Sequence, residues 1–101
     1  MIEIKGNIQS IDANRLCAVF AVNYTQYTFT VSLKPPVGYV RGSATMKFSD
    51  VGQLSGTHNM SGKVDGPVVW FTASNGIQII SYDGPPDDRN VQVMGSGSWS
   101  T

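Results

Sequence analysis

The chain has 101 residues, a length typical of one domain, and its seven basic and seven acidic residues give a formal net charge of zero. Because it has neither a basic excess nor an acidic run, we expect no nucleic-acid partner. It also lacks a signal peptide pattern and any run of about 18 apolar residues, so we expect no membrane partner either. These totals predict a single cytoplasmic domain over residues 1–101.

Apolar residues recur at every second position along most of the chain, which predicts β-strands rather than helices. Residues 2–8 alternate through Ile2, Ile4 and Ile8, whereas residues 15–22 (RLCAVFAV) are apolar on both faces, as in a central strand. Cys17 lies in the second segment. As the only cysteine, it excludes an internal disulfide and a cysteine metal cluster, and we interpret it as a small buried hydrophobe.

The next two alternating segments, QYTFTVSL and YVRGSATMKF, flank the proline-rich stretch KPPVG. This arrangement predicts an antiparallel hairpin in which Leu33 pairs with Val40, Val31 with Gly42 and Phe29 with Ala44. Large side chains then meet small ones on the core face, and the other face is wholly polar.

Residues 54–64 place Leu54, His58, Met60 and Val64 on one parity. They form either one long strand or a hairpin broken near Asn59, and the pattern favours the strand. His58 is the only histidine, so every histidine mechanism would have to use it. No G-x-S-x-G elbow accompanies it, and no pair of carboxylates stands on facing strands. We therefore interpret His58 as structural or solvent-facing and expect no enzyme.

The strongest local signal is the Asn75-Gly76 pair between two β-rich runs, which predicts a two-residue type I′ turn. That turn pairs Ser74 with Ile77 and Phe71 with Ile80. One hairpin face is then a good core: Val69, Phe71, Ala73, Ile80 and Tyr82. The opposite face holds Val68, Trp70, Thr72, Ile77 and Ile79, and it is too apolar to lie in water. Other parts of the chain, a partner or second subunit, or a ligand would have to cover it.

Residues 82–90 (YDGPPDDRN) concentrate three acids, Asp83, Asp87 and Asp88, around two prolines. A calcium loop needs several converging oxygens, which the stiff Gly-Pro-Pro stretch does not favour, so we interpret the segment as a turn. The last segment alternates through Val91, Val93, Gly95, Gly97 and Trp99. Glycines in such a strand indicate a bulge, a bend, or close approach by a neighbour or an aromatic ring.

Together these segments predict an all-β, single-domain antiparallel β-sandwich or small barrel of seven to eight short strands, largely hairpin-connected. We expect a non-enzymatic interaction or assembly protein that binds a protein partner or itself, as a homo-oligomer, through an apolar hairpin face. The residues of that face are Val68, Trp70, Ile77 and Ile79. The alternative is a small-ligand or carbohydrate-binding module that uses Trp70 or Trp99 as a platform. The sequence predicts no catalytic residue, metal or cofactor.

Overall fold

Eight antiparallel strands close into a barrel in the computed structural model, which describes residues 1–86 and 88–101. The strands are β1 (Ile2–Ser10), β2 (Arg15–Val22), β3 (Thr25–Lys34), β4 (Arg41–Phe48), β5 (Thr57–Asp65), β6 (Val68–Ala73), β7 (Gln78–Ser81) and β8 (Asn90–Ser100). Their order around the barrel is β1-β2-β3-β8-β5-β6-β7-β4, and β4 closes onto β1. The prediction of an all-β fold with seven to eight strands is confirmed, in its barrel form.

Helical structure among the described residues consists of one 3-10 turn, Val51–Gln53, between β4 and β5. No helix in this part of the chain has the length and hydropathy needed to cross a membrane. The turn is closed by Asp50, whose side chain accepts a hydrogen bond from the Gly52 N–H at 3.1 Å. Gln53, the last residue of this turn, also contacts the loop between β6 and β7.

Inward side chains fill the barrel with one apolar core, and the alternation predicted along single strands is confirmed for β3, β4, β5 and β8. Phe29, Val31 and Leu33 are buried on β3, and Ala44, Met46 and Phe48 on β4. Residues 57–65 form one continuous strand, as the pattern favoured. On β8, Gly97 lies against the Phe29 ring: a Cβ there would stand 2.3 Å from Phe29 Cζ. This confirms that a glycine in this strand marks the close approach of an aromatic ring.

The predicted hairpin between residues 26–33 and 39–48 is wrong. Strand β3 pairs with β2 and β8, whereas β4 pairs with β1 and β7. Residues 35–40 cross one end of the barrel, and Val37 and Val40 are buried there. The Val37 N–H donates to Ala13 O at 2.9 Å, and the Ser10 N–H donates to Val40 O at 2.7 Å. The predicted turn would have left Val37 in water, so its burial favours the crossing.

The hairpin of β6 and β7 forms, but with a register one residue away from the prediction. The Ala73 N–H donates to Ile77 O at 2.8 Å, and the Gly76 N–H donates to Ala73 O at 2.9 Å. The loop therefore has three residues, 74–76, and ends on Gly76 at φ 97°. Phe71 consequently pairs with Ile79, and Trp70 with Ile80. Because side chains alternate, this shift exchanges the two faces of β7.

A contact distant in sequence fixes this longer loop. Gln53 Nε2 donates to Asn75 O at 2.7 Å, and Asn75 Nδ2 donates to Gln53 O at 3.0 Å. The amide pair docks the loop onto the 3-10 turn. Short-range turn preference alone could not reveal it, because the two residues are 22 positions apart.

Candidate functional site

The outward side of the β6–β7 hairpin carries an apolar surface that we call the outer hairpin face: Val68, Trp70, Ile80 and Tyr82. Trp70 is 42% exposed, and Tyr82, directly after β7, is 68% exposed. Val68 and Ile80 are half-buried beside them. Two of the predicted contact residues, Val68 and Trp70, lie on this face.

The predicted outward placement of Ile77 and Ile79 is wrong. Both are buried in the barrel core at 1% exposure. The three-residue loop turns their side chains inward and turns Ile80 and Tyr82 outward. Gln78 could have revealed the error. The predicted register places its polar amide on the core face, where burial is costly, whereas the structure exposes it.

The outer surface of β5, β8 and β3, the strands that follow one another from the β6 edge of the hairpin, differs from the outer hairpin face. Outward positions of β3, β8 and β5 are almost all hydroxyl, amide or charged residues. On β3 and β8 they are Gln26, Thr28, Thr30, Ser32, Lys34, Asn90, Gln92, Met94, Ser96, Ser98 and Ser100. Met94 is the exception, and its neighbours in the ladders are Lys34 and Ser61. Apart from Met94, these three strands carry no outward apolar residue, whereas the β6–β7 hairpin carries several; elsewhere in the described chain Ile2, Ile11, Tyr24 and Tyr39 are also exposed.

One lysine lies next to Trp70 in its row across the sheet, and a second lysine lies in the neighbouring row. Lys63 of β5 lies directly opposite Trp70 on one side, and Ile80 lies opposite it on the other. In the neighbouring row, Gln78 pairs with Lys47, whose Nζ is 3.9 Å from Glu3 Oε1. Lysine stems add apolar contact area next to an aromatic ring while their charges stay in water.

An open groove of about 350 Å³ runs beside Trp70. Its outward side chains belong to Trp70, Thr72, Gln78, Ile80 and Lys47. The volume falls within the range of about 300–1,000 Å³ that small-molecule sites occupy. The groove thus combines the aromatic ring of Trp70 with an amide, a hydroxyl and an ammonium group.

Trp99 does not form an exposed platform, contrary to the alternative that the sequence offered. It is 8% exposed inside the barrel, with its ring centroid 4.5 Å from that of Phe29. Tyr27 meets it edge-on at 6.5 Å. Its indole N–H has no hydrogen-bond partner among the described residues. Of the two tryptophans, Trp70 is the one that can contact a ligand outside the barrel.

His58 contacts the loop of residues 74–76, which sets the register of the β6–β7 hairpin. Its Nε2 lies 2.7 Å from Ser55 O and 3.4 Å from Asn75 Nδ2. The ring is half-buried next to the same Asn75 that Gln53 holds. These contacts agree with the interpretation of His58 as structural.

The acidic segment joins β7 to β8, and its Asp83 is hydrogen-bonded to the start of β4. Asp83 Oδ2 accepts a hydrogen bond from the Ser43 N–H at 2.9 Å, and its backbone oxygen accepts one from the Arg41 N–H at 3.3 Å. Asp88 is exposed, and Asp87 lies outside the described residues. Within residues 1–86 and 88–101, no group of three or more histidine, cysteine or acidic side chains could hold a metal ion. The contacts of Asp83 fit the turn interpretation.

Cys17 is half-buried and points out of the barrel, although we predicted a buried hydrophobe. The neighbouring Leu16 and Ala18 fill the core instead. Cys17 lines a second groove together with Gln9 and Arg41. Sequence reasoning missed this orientation because β2 is apolar on both faces.

Comparison of the chain with known protein families, with curated proteins and with solved structures finds no match.

Proposed function

We propose that this barrel is a non-enzymatic binding protein and that the outer hairpin face is its contact surface for another protein or a second copy of the chain. The observation that carries the proposal is the exposure of Trp70 and Tyr82 on one hairpin, with the half-buried Ile80 directly opposite Trp70 and the half-buried Val68 two residues before it. Contiguous apolar surface of this kind marks contact sites in soluble proteins.

The size of the exposed aromatic area supports a contact of useful strength. Trp70 leaves roughly 100 Å² in water, since a tryptophan presents up to about 250 Å². Burying that area gains about 2–3 kcal/mol at ~25 cal/mol per Å². Tyr82 offers a comparable area. Tryptophan and tyrosine are also the residues that most often dominate binding energy at interfaces, so Trp70 is the expected centre of the contact.

The absence of a catalytic arrangement among the described residues fits a binding role. His58 Nε2 faces the Ser55 carbonyl, which is not a nucleophile that a histidine could activate. The side chains around Trp70 are suited to packing and hydrogen bonding.

A photocrosslinking amino acid at position 82 tests the proposal in the cells that make the protein. We expect crosslinks from position 82 that disappear when Trp70→Ser and Ile80→Thr are added, because these substitutions remove the apolar contact but leave the core intact. Position 94 is the matched control: Met94 is equally exposed but has polar neighbours. Equal crosslinking from both positions, or none from position 82, would contradict the proposal.

The groove beside Trp70 favours a second candidate, a site for a small ligand such as a sugar ring. The apolar face of a sugar would stack on Trp70 while Gln78, Thr72 and Lys47 bind its hydroxyl groups. A Trp99→Phe variant makes Trp70 the sole tryptophan, so its fluorescence reports binding from a panel of monosaccharides and oligosaccharides. Saturable quenching that Gln78→Ala weakens would support this candidate, and a flat response would eliminate it.

A further inference from the structure

The barrel is incompletely hydrogen-bonded between β1 and β2. Strand β1 pairs with β4 along its length from Ile2 to Gln9, but its ladder with β2 runs only from Asn7 to Ser10. Beyond Val19, β2 continues to Val22, and there it pairs with β3. Among the described residues, the first half of β1 therefore has one strand neighbour, β4.

The alternation of backbone groups identifies which ones face the gap. The Ser10 N–H bonds to Val40 on the β4 side, whereas the Ile11 N–H bonds to Arg15 on the β2 side. Since the register with β4 is constant, even-numbered residues of β1 bond to β4 and odd-numbered ones point toward β2. The N–H and C=O groups of Glu3 and Lys5 consequently point toward the gap.

The end of β2, which lies across the gap from Glu3 and Lys5, leaves this edge of β1 open. Ala21, which would pair with Lys5 if the ladder continued, is exposed, and Tyr24 at the tip of the β2–β3 hairpin is fully exposed. An extended backbone is the chemical partner that a row of free N–H and C=O groups recognises.

The charged residues at this edge of β1 can pair with those of the same edge in a second copy of the chain. If a second β1 pairs antiparallel about a twofold axis at Ile4, Glu3 lies opposite Lys5 of the other copy, and Lys5 lies opposite its Glu3. These are the residues whose backbone groups face outward, so each pair can exchange two backbone hydrogen bonds. Both cross-strand pairs then join opposite charges, which stabilises a sheet.

We propose that the exposed half of β1 is a dimerisation edge at which two copies of this chain pair antiparallel, with Glu3 facing Lys5 across the twofold axis. The continuous sheet runs from β4 through β1 into β1 and β4 of the second copy. This interface is isologous, so each substitution is present twice in the dimer. It is separate from the outer hairpin face and does not depend on it.

Charge reversal tests the pairing. Wild-type protein should show a mass that rises with concentration from 10.9 kDa toward twice that value in light scattering. Glu3→Lys and Lys5→Glu each place like charges opposite one another at both pairs. Each should raise the dissociation constant about tenfold or more.

Mixing the two variants gives the decisive result. The Glu3→Lys chain carries two lysines at the edge and the Lys5→Glu chain carries two glutamates. A one-to-one mixture should therefore form a heterodimer more tightly than either variant dimerises alone. Lys63→Glu reverses a lysine opposite Trp70 and should leave the dimer unchanged.

Monomeric wild type at millimolar concentration would overturn the proposal, since Glu3 and Lys5 would then only protect the edge from pairing. Failure of the mixed variants to associate would overturn it as well. Loss of the dimer in the Trp70→Ser, Ile80→Thr double variant, with both charge variants still dimeric, would assign self-association to the outer hairpin face instead.

Discussion

The register of the β6–β7 hairpin buries one of two adjacent isoleucines and turns the other outward. Truncating each one to alanine should therefore lower the free energy of unfolding by very different amounts. Ile79 is 1% exposed in the core, whereas Ile80 is half-buried on the outer surface opposite Trp70. Truncation of a buried isoleucine to alanine removes its transfer free energy and leaves a cavity, at a cost of about 2–5 kcal/mol. At Ile80 the missing methyl groups leave no closed cavity, so the cost is about 1 kcal/mol or less.

Urea unfolding followed by far-ultraviolet circular dichroism measures both free energies of unfolding. We expect Ile79→Ala to lower the midpoint strongly and Ile80→Ala to lower it slightly, with unchanged m-values. In thermal unfolding, each kcal/mol corresponds to about 4–8 °C for a domain of this size. A larger loss from Ile80→Ala than from Ile79→Ala would refute the three-residue loop and restore the register of a two-residue turn.

Three further predictions follow from contacts elsewhere in the barrel. Gly97→Ala should cost about 1–3 kcal/mol or more in urea unfolding because its Cβ enters an aromatic ring, whereas Gly52→Ala, whose Cβ meets nothing nearer than 3.8 Å, should be close to neutral. Tyr24 sits at φ 66°, so Tyr24→Gly should raise the free energy of unfolding by about 0.5–1 kcal/mol, and Tyr24→Ala should give no such gain. The hydrogen bond from the Arg15 side chain is the main cause that lowers the pKa of Asp12, so an NMR titration of Arg15→Gln should find this pKa raised toward its ordinary value. Because the folded pKa is the lower one, the stability from this pair is present above the ordinary pKa and is lost as pH falls through the lowered value.

The sequence was sufficient to predict the strands and the inward side of most of them. Burial inside a barrel selects every second residue, and that selection is visible in β3, β4, β5 and β8 without knowledge of the fold. Leu33 and Met46 were assigned to the core for this reason, and both are fully buried. Periodicity is a local property, so local reasoning recovers it.

Strand neighbours could not be predicted in the same way. An apolar face tells which side of a strand is buried but not which strand lies next to it. The polar outer faces of β3 and β4 fitted one another well, yet each pairs with other strands in the barrel. Burial of Val37 at the end of the barrel favours the observed connection, and that gain exists only once the barrel has closed.

The candidate site was predicted in part because its register depends on a loop. Trp70 precedes the loop, so its outward direction was assigned correctly whatever the loop length. Ile77 and Ile79 follow the loop, and one additional loop residue reversed them. The contact between Gln53 and Asn75 that fixes the loop joins segments that the sequence alone does not connect.

Hydroxyl-radical footprinting of the protein inside its own cells, compared with the purified protein at low concentration, tests the contact surface most directly. Tyr39 is 64% exposed outside the outer hairpin face and serves as the internal reference. If the outer hairpin face is a contact surface, Trp70 and Tyr82 lose labelling in cells while Tyr39 keeps it. Equal labelling of all three residues in both conditions would contradict the proposal that this face binds a partner.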